Sequence, residues 1–582
     1  MTAQARVWAP RASRVEILVG PPDEAVVDVM HPAEDGWWEG PALADGTDYA
    51  YSVDGAGPFP DPRSAWQPYG VHGPSRTFDA SAHAWDDGAW AGLSALGAVT
   101  YELHVGTFTP RGTLDAIDDR QLRDLRTRGV EMVELMPLAA FPGSRGWGYD
   151  GVALYSVHDA YGGPAALQRF VDRAHRHGLG VCLDMVYNHL GPDGNYLAQF
   201  GPYFTDAHET PWGWAVNLDQ DDAVGMRTFI VDNALRWFED FHVDALRLDA
   251  VHALVDDSAR HILAELSDAT AVAAVRLGRP LSLVAESDLN DAVMVTPTSE
   301  GGLGMTAQWA DDVHHALHAY LTGETHGYYG DFGSIEALDK VYRSVFVHDG
   351  GFSTFRGKDW GAPVPASIDR RRFVVFASNH DQVGNRALGD RPASRLSPGA
   401  QAASLALVLL SPFTPMLFMG EEYGETRPFM FFTDHDEPLG SAVSEGRMHE
   451  FAGHGWEDLY GGEVSVPDPQ DRQTFLRSKL GSGVAAGSTA NARIEEWVAA
   501  LMSARSLTLE DGVWARFPAG ASESAPRQLT MSGPVVVHAN LSDSPMRVEG
   551  GAPLAVFGTV TAVEGGLELA PDAVVLVDSA TL

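Results

Sequence analysis

Short apolar runs separated by turn dipeptides open the chain. Val15–Val19, Trp37-Trp38 and Tyr49–Val53 alternate with Asp35-Gly36, Asp45-Gly46 and Asp54-Gly55. Such dipeptides supply the positive φ that tight hairpins require, so residues 1–90 read as a small antiparallel β-sandwich domain. Pro58, Pro60 and Pro62 stiffen its exit. From about residue 98 the pattern changes to strands alternating with helices. Strand-like runs fall at Val99–Phe108, Met132–Leu138, Val181–Tyr187, Ala245–Leu248, Leu281–Ala285, around Gln308, at Phe373–Ala377 and at Pro415–Met419. Helical stretches such as Leu114–Arg128, Pro164–His177 and Ala223–Phe241 lie between them, with Gly129 and Gly178 as left-handed caps. This alternation predicts parallel strands joined by helices. About eight strands favour an α/β fold of the (β/α)8 TIM-barrel type over 91–487, with a short insertion at about 190–222. A helix, Ile494–Leu507, and runs such as Pro534–His538 and Ala573–Val577 predict a C-terminal β-sandwich over 488–582. Gly481–Gly487 has the wrong glycine spacing for a phosphate loop and reads as a linker.

The 582 residues hold 40 Lys+Arg against 79 Asp+Glu, a net charge of −39. That excess argues against a nucleic-acid partner, whose phosphates need cations. No apolar run approaches the roughly 18 residues of a membrane span, so no membrane partner is expected. Met1–Gly20 lacks the apolar core of a secretory signal. Cys182 is the single cysteine, in the apolar run Val181-Cys182-Leu183, which excludes an internal disulfide and reads as a buried hydrophobe. A cytoplasmic protein is expected.

In a parallel barrel, chemistry gathers at the carboxyl ends of the strands. Here the third ends Asp184-Met185-Val186-Tyr187-Asn188-His189, and the fourth runs through Arg247 and Asp249 to His252. The fifth ends at Glu286 and the seventh at Asn379-His380-Asp381. One such acid reads most simply as a helix cap; three acids with two histidines do not. Arg247 and Asp249, two apart, share a strand face. They are either a structural salt bridge or a guanidinium holding a nucleophile ionised. Glu286 follows an apolar run that would raise its pKa and keep a proton available. An ionised carboxylate opposite a protonated one is what retaining glycoside hydrolysis requires.

The motifs DMVYNH (184–189), ALRLDAVH (245–252), LVAES (283–287) and SNHDQ (378–382) together resemble those of the α-amylase family, glycoside hydrolase family 13, in its order and on its strand numbers. The N-terminal domain is similar to the starch-binding-type module of branching and debranching relatives. The resemblance implies Asp249 as nucleophile, Glu286 as acid/base and Asp381 as the acid gripping the reacting sugar. His189 and His380 would bond to that sugar, Arg247 would orient Asp249, and Tyr149 would stack beneath the ring, although Tyr149 on its own reads more readily as core than as ligand. His252 belongs to the same set of substrate contacts.

A narrower resemblance is to the maltooligosyltrehalose trehalohydrolases. It rests on QWADDVHHAL (308–317), YYGDFG (328–333), NHDQVGNR (379–386) and FMGEEY (418–423). Gln382 stands where many amylases have Glu, and Val313 replaces an expected aromatic. The resemblance implies cleavage of the α-1,4 bond next to a terminal trehalose, releasing trehalose and a maltooligosaccharide. It also implies functional pairing with a maltooligosyltrehalose synthase. Asp311, His315 and Gln382 are candidates for reading the trehalose end, Asp311 and Asp312 being otherwise helix caps. A branching enzyme and a non-catalytic glucan-binding barrel are the alternatives. The insertion's aromatics, Tyr196, Phe200, Tyr203, Phe204, Trp212 and Trp214, read either as sugar platforms or as loop packing. Asp193, Asp206, Asp219, Asp221 and Asp222 lack calcium-loop spacing. His314, His315 and His318 read as a solvated helix face. No metal and no cofactor are expected.

Overall fold

The computed structural model describes residues 2–21, 23–451, 460, 462, 464–481, 489–509 and 520–581. The glycine-rich linker at 482–487 and the expected domain boundary beside it lie outside the described residues.

Eight parallel strands close into a barrel in chain order: Thr100–Leu103, Met132–Leu135, Gly180–Met185, Ala245–Leu248, Ser282–Ala285, Ala307–Trp309, Phe373–Phe376 and Thr414–Phe418. The eighth closes on the first in the register Met416 with Thr100 and Phe418 with Glu102. Period-two alternation decides what fills the inside. Met132, Cys182, Ala245 and Val284 meet Phe376 and Met416 in an apolar plug. Two residues further along the second, third and fourth strands, the same face carries Glu134, Asp184 and Arg247, all buried. Glu102 joins them from the first strand, in register with Glu134. The interior is therefore apolar toward the amino ends of the strands and charged toward the carboxyl ends.

The first strand is shorter than its apolar run suggests. It stops at Leu103, and Val105–Phe108 forms a helical turn. The ring of His104 meets the Thr107 hydroxyl at 3.0 Å, and the His104 carbonyl accepts from the Phe108 amide at 2.9 Å. The expected helix at Leu114–Arg128 divides into a short turn, Leu114–Ala116, and a helix, Asp119–Thr127. Asp118 and Gln121 start that helix with a reciprocal capping box. Gly129 and Gly178 follow their helices at φ 93° and 72°, where a Cβ is disfavoured. Among the described residues no helix is long and apolar enough to cross a membrane.

The N-terminal domain pairs a three-stranded sheet with a five-stranded one. It docks on the insertion through an aromatic seam. Trp8 meets Tyr203 edge-on at 5.1 Å, Phe59 lies 5.2 Å from Tyr196, and Tyr51 packs on Phe200. Gly225 is required here, because a Cβ would come within 2.2 Å of the Trp8 ring. Ion pairs Arg63–Asp232 (2.8 Å) and Arg11–Asp222 (3.1 Å) flank the seam. At the other end, the helix Thr489–Leu509 lies on the barrel, with Trp497 donating to the Ala402 carbonyl at 2.9 Å and Arg505 to the Leu409 carbonyl at 2.7 Å. Two further sheets, of five and three strands, follow from Gly520. They reach the barrel through Asp572, which accepts from the Gly399 amide at 3.0 Å, and Arg527, which donates to the Tyr320 carbonyl at 2.8 Å.

Trp8→Ala removes the anchor of the N-terminal seam. It is expected to cost about 3–5 kcal/mol, as for other buried aromatic truncations, and to lower the first transition seen by scanning calorimetry. An unchanged thermogram would show that the seam contributes no stability.

Candidate active site

A cavity of about 890 Å³ opens above the carboxyl ends of the strands, lined among others by Tyr149, His189, Asp249, His252, Glu286, His380 and Asp381. The sequence scatters these residues over more than 230 positions, from 149 to 381; the barrel brings them to one rim.

Arg247 is the centre of the floor. It is wholly buried, and its guanidinium lies 4.2 Å from the centre of the Trp309 ring. One nitrogen, Nη1, meets Asp184 at 2.7 Å and Asp249 at 2.9 Å; Nη2 meets Glu286 at 2.7 Å. A single planar cation therefore holds the nucleophile and acid/base candidates beside each other. The Arg247–Asp249 salt bridge is formed, and Asp249 lines the cavity.

The two carboxyls titrate in opposite directions. Burial alone would raise Asp249, but Arg247, the Asn188 side chain donating at 2.7 Å, and nearby His189 outweigh it and hold the group below its ordinary value. Glu286 is raised well above its ordinary value. Burial is the main cause; Arg247 opposes it, while Asp249, Asp381 and Asp311 push the same way. The expectation of an apolar wall therefore captures burial and misses the three neighbouring acids. Glu286 Oε2 lies 2.7 Å from Arg247 Nη2 as an ion-pair contact and accepts the Ala250 amide at 2.8 Å. Ala250 adopts φ 39° to present that amide, a left-handed conformation that costs a non-glycine residue energy and is found at functional sites.

Tyr149 closes one side. Gly148 at φ 102° makes the turn that aims it, where a Cβ would meet the Pro137 carbonyl oxygen at 2.4 Å. Its hydroxyl donates to Asp184 at 2.6 Å, and its ring stacks on His380 at 5.0 Å. Burial pushes Asp184 up to about 6, against the pull of Arg247. Both ring nitrogens of His189 are occupied, by the Asn188 side chain and by the Tyr149 carbonyl at 3.1 Å. His189 thus offers the cleft a ring face, which stacks on Trp212 at 4.5 Å. Asp381 accepts from Asn385 at 3.0 Å. His252 is exposed at the cleft's edge.

A second cavity of about 260 Å³ adjoins the first and shares Asp381 and Asn385 with it. His315, Tyr328, Phe355, Arg356 and Gln382 line it. Asp311 does not cap its helix: its Oδ1 is buried without a hydrogen-bond partner, and burial with Asp381 and Asp312 nearby pushes it up to about 7. Asp312 does not cap it either; it accepts the Val347 amide at 2.7 Å and Asn290 at 3.1 Å. The histidines of this helix are not solvated. His314 bonds the Ala377 carbonyl at 2.6 Å, His318 pairs with Glu324 at 2.7 Å, and burial drives His315 down to about 3. The segment 324–348 covers the face that the polar sequence suggests is exposed.

The insertion's aromatics divide between the two readings. Tyr196, Phe200 and Tyr203 pack against the N-terminal domain, whereas Trp212 and Trp214, 50% and 66% exposed, stand on the cleft wall. Of the five insertion aspartates, Asp219 alone joins a group with metal-ligand spacing among the described residues, with His208 and Asp257. It already accepts from His208 at 2.8 Å and from the Asp257 amide at 2.9 Å, as an internal cap would. Cys182 is buried, and burial raises its thiol well above the usual value. Residues that sequence reasoning left without a role are Glu102, Asp184, Asn188 and Asn385. Asp184 and Asn188 stand inside a quoted motif, and Glu102 is an acid in an otherwise apolar strand.

The profile of the alpha amylase catalytic domain matches residues 75–221. The malto-oligosyltrehalose trehalohydrolase of Arthrobacter ramosus is 53% identical over 81% of this chain and 82% of its own length. That of Rhizobium sp. (strain M-11) is 49% identical over 87% and 85%. The crystal structure of a candidate alpha amylase from Salmonella typhimurium superimposes with a TM-score of 0.88 at 34% identity, covering 99% of this chain and 97% of that one. With the barrel, the acids at its rim and this extent of identity in agreement, the chain belongs to the malto-oligosyltrehalose trehalohydrolase family.

Proposed function

We propose that this protein is a retaining glycoside hydrolase that cuts the α-1,4 bond next to the terminal trehalose of maltooligosyltrehalose, releasing trehalose and a maltooligosaccharide. The observation that carries the reading is Arg247 bridging Asp249 and Glu286 while their environments push the two carboxyls apart. Asp249, held ionised, attacks the anomeric carbon and forms a glycosyl ester as Glu286 protonates the departing oxygen. Glu286 then takes a proton from water, which attacks the same carbon and frees Asp249 with retention. Asp381 and His380 hold the reacting sugar's hydroxyls, and Tyr149 lies beneath its ring.

The second cavity supports the specificity. It meets the main cleft at Asp381 and Asn385, beside the place proposed for the reacting sugar. Arg356 and Gln382 bring donors, while Tyr328 and Phe355 bring flat faces suited to sugar rings. His315, kept neutral, has a buried Nδ1 without a partner, and Asp311 has a free oxygen of the same kind. The bent trehalose end would be read here, and Trp212 and Trp214 would support the maltooligosaccharide end. A maltooligosyltrehalose synthase would supply such a substrate. The intact acids count against a non-catalytic barrel. The strand-6 motif and Gln382 resemble the trehalohydrolases rather than a branching enzyme.

Product analysis separates these readings. Maltotriosyltrehalose should yield trehalose and maltotriose much faster than maltopentaose is cut. New α-1,6 branches on amylose, or equal rates on the two oligosaccharides, would refute the assignment. Asp249→Asn should lower kcat by about 10⁴-fold or more while substrate binding persists, because only the covalent step needs the charge; a near-wild-type rate excludes Asp249 as nucleophile. For Glu286→Gln, a glucosyl fluoride should restore glycosylation, since fluoride leaves without a proton. The wild-type kcat/KM should fall on the alkaline side above the raised pKa of Glu286 and on the acid side below that of Asp249. An alkaline limb at the ordinary carboxyl value, near pH 4–5, would exclude Glu286 as the acid.

A further inference from the structure

Glu102 lies at the inner end of the first barrel strand, 1% exposed, in none of the motifs that define the site. Its two carboxylate oxygens are spent on one residue. Oε1 meets the His380 ring at Nδ1, 2.5 Å away, and Oε2 accepts the His380 backbone amide at 2.9 Å. Among the described residues, His380 is its one ion-pair partner. Such a two-point grip fixes the backbone, the ring plane and the tautomer together, because Nδ1 must carry the hydrogen that Glu102 accepts. The other ring nitrogen, Nε2, faces Asp381 Oδ2 at 3.6 Å, beyond hydrogen-bond length. The ring lines the main cleft and stacks on Tyr149.

We infer that Glu102 is a positioning residue for His380, holding the imidazole charged and turned so that Nε2–H is a donor kept for the sugar in the cleft. This rests on the reading of His380 and Asp381 as contacts to the reacting glucose. It goes further in assigning the donor's charge and direction to a carboxylate on a different strand.

The groups around the ring favour the cation on balance. Glu102 faces it from the first strand, Asp381 from its own loop and Tyr149 from the loop after the second strand; Arg247 on the fourth strand and His104 beyond the first oppose a charge. Burial pulls His380 down, but Asp381 and Glu102 overcome it and carry the group to about 10. Glu134, cross-strand from Glu102, is pushed by burial up to about 8 and is neutral below that pH. Among the described residues no arginine pairs with Glu102, and its ion pair is with His380. A charged donor at Nε2 strengthens a hydrogen bond to a sugar oxygen roughly twofold over a neutral one.

The test is the pH profile of full-length Glu102→Gln beside wild type and Glu102→Asp. Glutamine keeps the volume and one acceptor oxygen, enough for Nδ1–H but not also for the backbone amide, and removes the charge. The alkaline fall of kcat/KM, which Glu286 sets in the wild type, should move down toward the ordinary histidine range near 6.5. The variant should be within about threefold of wild type at pH 5.5 and lose at least about 30-fold at pH 8.5. Glu102→Asp keeps the charge, so its alkaline limb should stay in place while its rate falls. A loss for Glu102→Gln that is the same at every pH, or an unmoved limb, overturns the inference. If Glu102→Gln fails to fold, Glu102→Asp decides: a wild-type rate with a wild-type limb overturns the role. Covalent trapping with a 5-fluoroglucosyl fluoride on the wild type keeps the two readings apart. Absence of label on Asp249 sinks the proposed function, whereas the comparison at position 102 speaks to the inference alone.

Discussion

A guanidinium buried at the centre of the barrel is the constraint around which the rest is arranged. Taking a cation out of water costs several kcal/mol, and only close carboxylates offset it. Arg247 has two, Asp184 and Asp249, together with the Glu286 carboxyl at 2.7 Å and the face of Trp309. Asp184 and Asp249 are themselves buried, so the cation and these two carboxylates hold one another in place. Such fixity is what orienting a nucleophile to within tenths of an ångström demands. The apolar plug of Cys182, Ala245, Val284 and Met416 beneath it supplies the dry floor that keeps the interaction strong.

The same cation touches both candidate catalytic carboxyls, Asp249 and Glu286, yet they end on opposite sides of their ordinary values. The difference comes from what else each one sees. Asp249 has a second donor in Asn188, which favours its charged form. Glu286 has the Ala250 amide but faces three acids. A shared cation with unshared neighbours divides acid from base without separating them in space.

Much of this was legible in the chain. Period-two alternation and the acids at the strand ends locate the barrel and its active rim, because those signals are local. What stayed hidden depends on partners far along the sequence. The polar string Asp311–His318 looks like a solvent face and is buried because the segment 324–348 wraps over it. Tyr196 and Trp212 are indistinguishable as letters; one faces an N-terminal domain more than a hundred residues away and the other faces the cleft. Glu102 sits between Tyr101 and Leu103 like any alternating strand position. Its clue is that a strand buried on both faces admits an acid only if something pairs it.

The domains beside the barrel also act on the cleft. The insertion that carries Trp212 and Trp214 is only about 30 residues long and has no core of its own. Its inner aromatics are buried by Trp8, Tyr51 and Phe59 of the N-terminal domain. An exposed hairpin holding two tryptophans would otherwise pay the full entropy of being ordered. Three aromatic side chains of the N-terminal sheets, Trp8, Tyr51 and Phe59, are engaged in this docking. With Tyr203 and Phe200 packed against the N-terminal domain, that domain braces the insertion whose Trp212 and Trp214 line the cleft.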